Sequence, residues 1–167
     1  MNQLKRYTAT GAAFVIILGT LAHFFYEWSH KSSIVGIFTP INESTWEHMK
    51  LLFFPMLLFS LIAITKLKDI YPCITSSLLS GILAGTALIP IIFYTYTGIL
   101  GYNLLFLDIS AFIFAVISAF CTAYKLTLSC RMEKYTVLLY ITIGILFICF
   151  VVFTFCPPGI ALFADPV

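Results

Sequence analysis

Asn42-Glu43-Ser44-Thr45-Trp46-Glu47-His48-Met49-Lys50 runs straight into Leu51-Leu52-Phe53-Phe54-Pro55-Met56-Leu57-Leu58-Phe59-Ser60-Leu61-Ile62-Ala63-Ile64-Thr65. The first part is crowded with titratable side chains, and the second has none. Roughly 20 apolar residues at about 1.5 Å of rise each cross a bilayer, so 45–65 reads as a membrane-spanning helix with polar groups at its entry. Ser44-x-x-Glu47 is a capping box that marks the helix start, after the chain-breaking Pro40 and Asn42.

Four further runs of the same kind lie on either side, at about 9–30, 72–96, 103–124 and 135–156. The breaks between the five are Lys31–Asn42, Lys66–Tyr71, Thr97–Tyr102 and Lys125–Lys134, and the shorter ones imply antiparallel neighbours. Backbone groups must be satisfied internally in lipid, which selects helices, and the runs lack the two-residue period of a barrel strand. The expected fold is all-α, a polytopic membrane bundle of five transmembrane helices forming a single integral membrane domain over 1–167. Composition agrees. Of 167 residues, 61% are hydrophobic and 10% charged, with mean hydropathy +1.05. A soluble domain carries about 25% charged residues. The net charge of +2 forms no basic run or stripe, which argues against nucleic acid as a partner.

Orientation follows from lysine and arginine. With the N-terminus inside, Lys5, Arg6, Lys66, Lys68, Lys125, Arg131 and Lys134 are cytoplasmic, and Lys31 and Lys50 lie outside, so the C-terminus is outside. A multi-pass protein of the cell membrane results. Lys5 and Arg6 before an apolar core also suit a signal peptide cut after Ala22. Continued apolar character through Phe24, Phe25 and Tyr26 favours retention of the first span. Of the five cysteines, only Cys156 then reaches the outer side, none forms a CxxC pair, and no structural disulfide is expected there.

In this arrangement His23, Glu27, His30, Glu43, Glu47, His48, Asp108 and Asp165 all gather at the outer end, while Asp69 and Glu133 stay inside. Ionisable groups at a membrane boundary are costly unless paired or used. His23, Glu27 and His30 fall within about 60° on one helix face, with Gly19 and Ala12 continuing the stripe. Asp108 shares a face with Ala115 and Ala119, and Ser77, Gly81 and Gly85 make a similar seam on the third span. Pro55 and Pro90 each kink a helix and free a carbonyl.

The donor types point to zinc or another divalent metal, which takes imidazole nitrogen and carboxylate oxygen. His23, Glu27, His30, Glu43 and His48 are the candidate ligands, and Asp108 and Glu47 the candidate catalytic acids or bases. No HExxH is present, and adjacent Glu47 and His48 diverge by about 100° on a helix, so both cannot ligate one ion. A structural reading also stands. Glu27 with Lys31 and Glu47 with Lys50 are ordinary helical ion pairs, and Trp28, Trp46, Tyr94 and Tyr96 suit an interfacial aromatic belt. Pro157-Pro158 reads as a helix stop that holds the tail over the outer mouth.

Pro40-Ile41-Asn42-Glu43-Ser44-x-Trp46-Glu47-His48-x-Lys50 resembles the signature of a family of small bacterial integral membrane proteins classed as a domain of unknown function (sixty-five-twelve). The resemblance extends through Phe93-Tyr94-Thr95-Tyr96-Thr97-Gly98, Gly101-x-Asn103, Asp108-Ile109, Phe155-x-Pro157-Pro158 and Leu162-Phe163-x-Asp165-Pro166. It implies membrane residence but no reaction.

Three functions stay open. One is a metal-dependent hydrolase or transferase acting on a lipid-linked or small amphiphilic substrate. Another is a proton- or cation-coupled transporter or channel component; five spans are few for that, so a homo-oligomer would serve it better. The third is a noncatalytic membrane binding or assembly protein.

Overall fold

The structure is a computed structural model that describes residues 2–165. Pro166, the last residue of the Leu162–Pro166 motif, lies outside the described residues. The chain is helical, with no strand among the described residues: α1 (Asn2–Trp28), α2 (Ser33–Phe38), α3 (Thr45–Leu67), α4 (Ile74–Leu100), α5 (Leu105–Ser129) and α6 (Thr136–Phe155). All but α2 are long and apolar enough to cross a membrane. The five expected spans are therefore present. α1 begins well before residue 9, and α4 and α5 run past 96 and 124, because lysine, arginine, threonine and tyrosine continue a helix beyond its apolar part.

The first break is not a plain loop. It holds α2, whose Gly36 is buried: a Cβ there would stand 2.7 Å from Ile41 and 3.2 Å from the Tyr26 ring. α2 thus folds back over the end of the bundle where α3 begins rather than extending from it.

Small residues set the helix spacing, as the seams anticipate. Gly81 and Gly85 of α4 face Ala115, Ala119 and Ala123 of α5, with Gly81 against the Ala119 carbonyl. Gly19 lets α1 approach α3 closely enough to meet the Leu51 carbonyl. That carbonyl is the one Pro55 frees, since proline has no N–H to donate four residues back. Leu52, Phe53, Met56, Ile82, Ala115, Val116, Ala119 and Phe150 form the closed centre of the bundle.

At the opposite end Leu4, Leu67, Ile74, Leu78 and Ala123 join the N-termini of α1 and α4 to the C-termini of α3 and α5. The cysteine expectation, made only for the side of Cys156, left this end open, and here Cys73 and Cys130 form a disulfide. They cap the N-terminus of α4 and the C-terminus of α5, which an antiparallel hairpin brings to one place despite a separation of 57 residues. Sequence spacing does not reveal such a pair. Beside it, the Ser76 hydroxyl donates to Glu133 at 2.9 Å.

The expectation for Trp46 is corrected. Trp28 is exposed, but Trp46 is buried against Phe150, Phe153 and Phe163. Helix α6 stops at Phe155, before Pro157-Pro158, and the following chain folds back so that Phe163 covers Trp46. The expected helix stop is there, with the tail lying over the start of α3.

Candidate metal centre

The start of α3 is built by its cap. Ser44 is the N-cap, and its side chain accepts a hydrogen bond from the Glu47 amide at 3.4 Å. The return half of the capping box is missing. The Ser44 amide donates instead to Asn42 Oδ1 at 3.0 Å, in an Asx turn. The Glu47 carboxylate is thereby free to turn elsewhere, and Glu43 is held between two fixed residues.

Three side chains converge at this point. His23 from α1, Glu43 from the loop and His48 from the first turn of α3 each present a ligand atom, all within 4.8 Å of one another. Glu43 lies between the two rings, 3.7 Å from His23 Nε2 and 3.4 Å from His48 Nε2, using a different oxygen for each. The rings are stacked at 5.4 Å between centroids and inclined by 28°. Both histidines are about 30% exposed and Glu43 65%, so the group is open at the surface of the bundle.

His48 is oriented from behind. Its Nδ1 lies 3.0 Å from the Ser44 carbonyl, four residues earlier. A carbonyl only accepts, so Nδ1 carries the proton and donates it. In its neutral form the ring then turns a bare Nε2 lone pair toward the Glu43 carboxylate, which also only accepts. Two acceptors so placed need a cation between them, either a proton on the ring or a metal ion. A backbone carbonyl behind a ligating histidine is the usual way such a ring is fixed.

The other candidates lie elsewhere. Glu27 is exposed and pairs with Lys31 at 3.7 Å. His30 is exposed with φ 56°, because α1 ends at Trp28 and the chain turns there, so the stripe His23–Glu27–His30 does not continue as helix. Asp108, in the first turn of α5, accepts a short hydrogen bond from the Tyr96 hydroxyl. It belongs to the same end of the bundle: Phe112, one turn further along α5, packs at Gly19, itself one turn before His23 on α1.

Glu47 points away from the histidines, as adjacency to His48 requires. It is 2% exposed and bonded to Lys50, which is 0% exposed, at 2.7 Å. The three ammonium protons of Lys50 go to Glu47, to the Gly36 carbonyl at 2.9 Å and to the Thr154 hydroxyl. Glu47 also accepts from the Ile41 amide at 3.0 Å. An i,i+3 Glu–Lys spacing signals only a surface pair. That this one is internal depends on Thr154, 104 residues away, and on the fold-back of α2. Nothing local in the sequence announces it.

The model of the family described as Family of unknown function (DUF6512) matches residues 1–167. The chain belongs to that family. No curated protein matches it, and no solved structure matches it.

Proposed function

We propose that this multi-pass membrane protein binds one divalent metal ion of the zinc class at His23, Glu43 and His48, and uses it for hydrolysis or group transfer on a lipid-linked or amphiphilic substrate. The observation behind this reading is the pair of facing acceptors, His48 Nε2 and Glu43 Oε2, with the ring's proton committed to the Ser44 carbonyl. One divalent ion satisfies both rings and the carboxylate together.

Two imidazoles and one carboxylate are a donor set of catalytic zinc sites, which keep further positions open for water and substrate. The exposure of Glu43 supports that openness here. When bound, the metal supplies Lewis acidity and an activated water. The chain's own part is to hold the ligands: Ser44 fixes the ring of His48, Gly19 fixes the distance between α1 and α3, and Asp108, held by Tyr96, offers a carboxylate at the same membrane boundary. A site there suits a substrate whose polar part stays at the interface while its apolar part stays in the bilayer.

The test is elemental analysis of gently purified protein, followed by titration with Zn2+ or Co2+. One ion per chain is expected, lost in His23→Ala and in His48→Ala, with uptake strengthening as pH rises because protons compete for the imidazoles. Wild-type protein that holds no metal and takes up none would overturn the proposal.

A further inference from the structure

Glu43 is an exposed loop residue, yet it stands in register with two histidines from two helices. Something must hold its backbone there. The amide of Ile41, two residues earlier, donates to Glu47 Oε2 at 3.0 Å, and Ser44, the next residue, is fixed by Asn42 and by the Glu47 amide. Glu47 therefore grips the loop on both sides of Glu43, once through its side chain and once through its main chain.

A carboxylate this deeply buried can grip only if its charge is met. Lys50 meets it at 2.7 Å and spends its remaining protons on the Gly36 carbonyl of α2 and the hydroxyl of Thr154. Thr154 in turn lies 3.2 Å from Glu47 Oε1 and 2.7 Å from the Phe150 carbonyl, its one proton serving either acceptor. Helices α2, α3 and α6 and the loop 39–44 are thus joined at one buried centre.

We propose that Glu47, Lys50 and Thr154 are positioning residues for the metal centre: a buried clasp that sets where Glu43 stands without touching the ion. This rests on the reading of His23, Glu43 and His48 as a metal site. The clasp faces away from that site, so its effect on the ion runs through the Glu43 backbone.

The experiment measures Co2+ and Zn2+ affinity of the full chain in detergent for four proteins: wild type, Glu47→Met with Lys50→Met, Glu43→Ala, and the combination of all three substitutions. Removing both members of a buried pair for apolar residues of similar size is frequently tolerated, so the double variant keeps the fold where a single one need not. Thr154→Val, which deletes only one hydroxyl, is the second probe. Removing Glu47 and Lys50 together is expected to weaken metal binding about 10–100-fold. In the Glu43→Ala background the same change is expected to add nothing, because the residue it positions is gone. Wild-type affinity in both the double variant and Thr154→Val overturns the clasp while leaving the metal site standing. A loss of equal size in the Glu43→Ala background also overturns it, since general loosening of the bundle would then be the cause. A wild-type chain that binds no metal removes the underlying site, and the clasp with it.

Discussion

Gly19 of α1 lies against the main-chain oxygen of Leu51 in α3, so close that a Cβ at position 19 would stand 2.5 Å from that oxygen and 2.6 Å from the Phe112 ring. His23 is one turn beyond Gly19, and His48 one turn before Leu51–Leu52. The contact is therefore the fulcrum that sets the separation of the two imidazoles. Because the nearest atom is backbone, a side chain at 19 can be accommodated only by moving α1 away from α3.

Gly19→Val is expected to cost about 1–3 kcal/mol of stability through overpacking and to weaken Zn2+ or Co2+ binding tenfold or more by parting His23 from His48. Gly144→Val is the control. Nothing lies within 4 Å of the position where its Cβ would stand, so both properties should be unchanged. Thermal unfolding and metal titration of the two variants make the comparison. Equal metal affinity in Gly19→Val and wild type would show that the fulcrum does not set the site.

Glu27, His30 and Asp108 supply the complementary expectation. Each is an acid or imidazole at the same membrane boundary, and each is outside the trio. Glu27→Gln, His30→Ala and Asp108→Asn should leave metal stoichiometry and affinity within about twofold of wild type, as independent sites do. Asp108→Asn and Tyr96→Phe should be coupled to each other, since they remove two ends of one hydrogen bond. Metal content that falls in any of the three would redraw the ligand set.

The difference between what the sequence revealed and what it concealed has a physical origin. Five spans could be read because uncharged apolar runs admit few alternatives in a bilayer, and the glycine and alanine seams because close helix approach needs small residues at helical spacing. Both are local signals. His23, Glu43 and His48 were readable as donors, but their company was not: Glu27 and His30 look equally suited until α1 stops at Trp28 and the chain turns at His30. The interior place of Lys50, the burial of Trp46 and the pairing of Cys73 with Cys130 each depend on a residue far along the chain: Thr154, Phe163 and Cys130. No window of sequence contains both members of such a pair.

The buried ion pair makes a prediction about stability that is separate from metal binding. Lys50→Met alone leaves the buried Glu47 carboxylate without its counter-ion, and Glu47→Met alone leaves the buried ammonium without its own. Each single substitution should destabilise the protein by about 3–5 kcal/mol, and the double substitution by much less, because both desolvation penalties vanish together. Denaturation of the three variants without metal gives the cycle. Additive losses would mean that the two groups are not a pair in the folded protein.

The two ends of the bundle differ in charge and in thiol chemistry, and this gives a direct test of orientation. Lys5, Arg6, Lys66, Lys68, Lys125, Arg131 and Lys134 lie at the end that carries Cys130, whereas Lys31 and Lys50 lie at the end that carries Cys156. By that asymmetry His23, Glu43 and His48 are expected to face outward and Cys130 to face the cytoplasm. A variant that keeps only Cys156 should react with a membrane-impermeant maleimide in intact cells, and a variant that keeps only Cys130 should react only after permeabilisation. Both positions are exposed, so access to reagent reports on side rather than on burial. If that orientation holds, the Cys73–Cys130 pair lies in a reducing compartment, and the bond seen in the structure should be open in cells and close on exposure to oxidant. The opposite labelling pattern would turn the bundle over, put His23, Glu43 and His48 on the cytoplasmic side, and leave the disulfide in an oxidising environment where it persists.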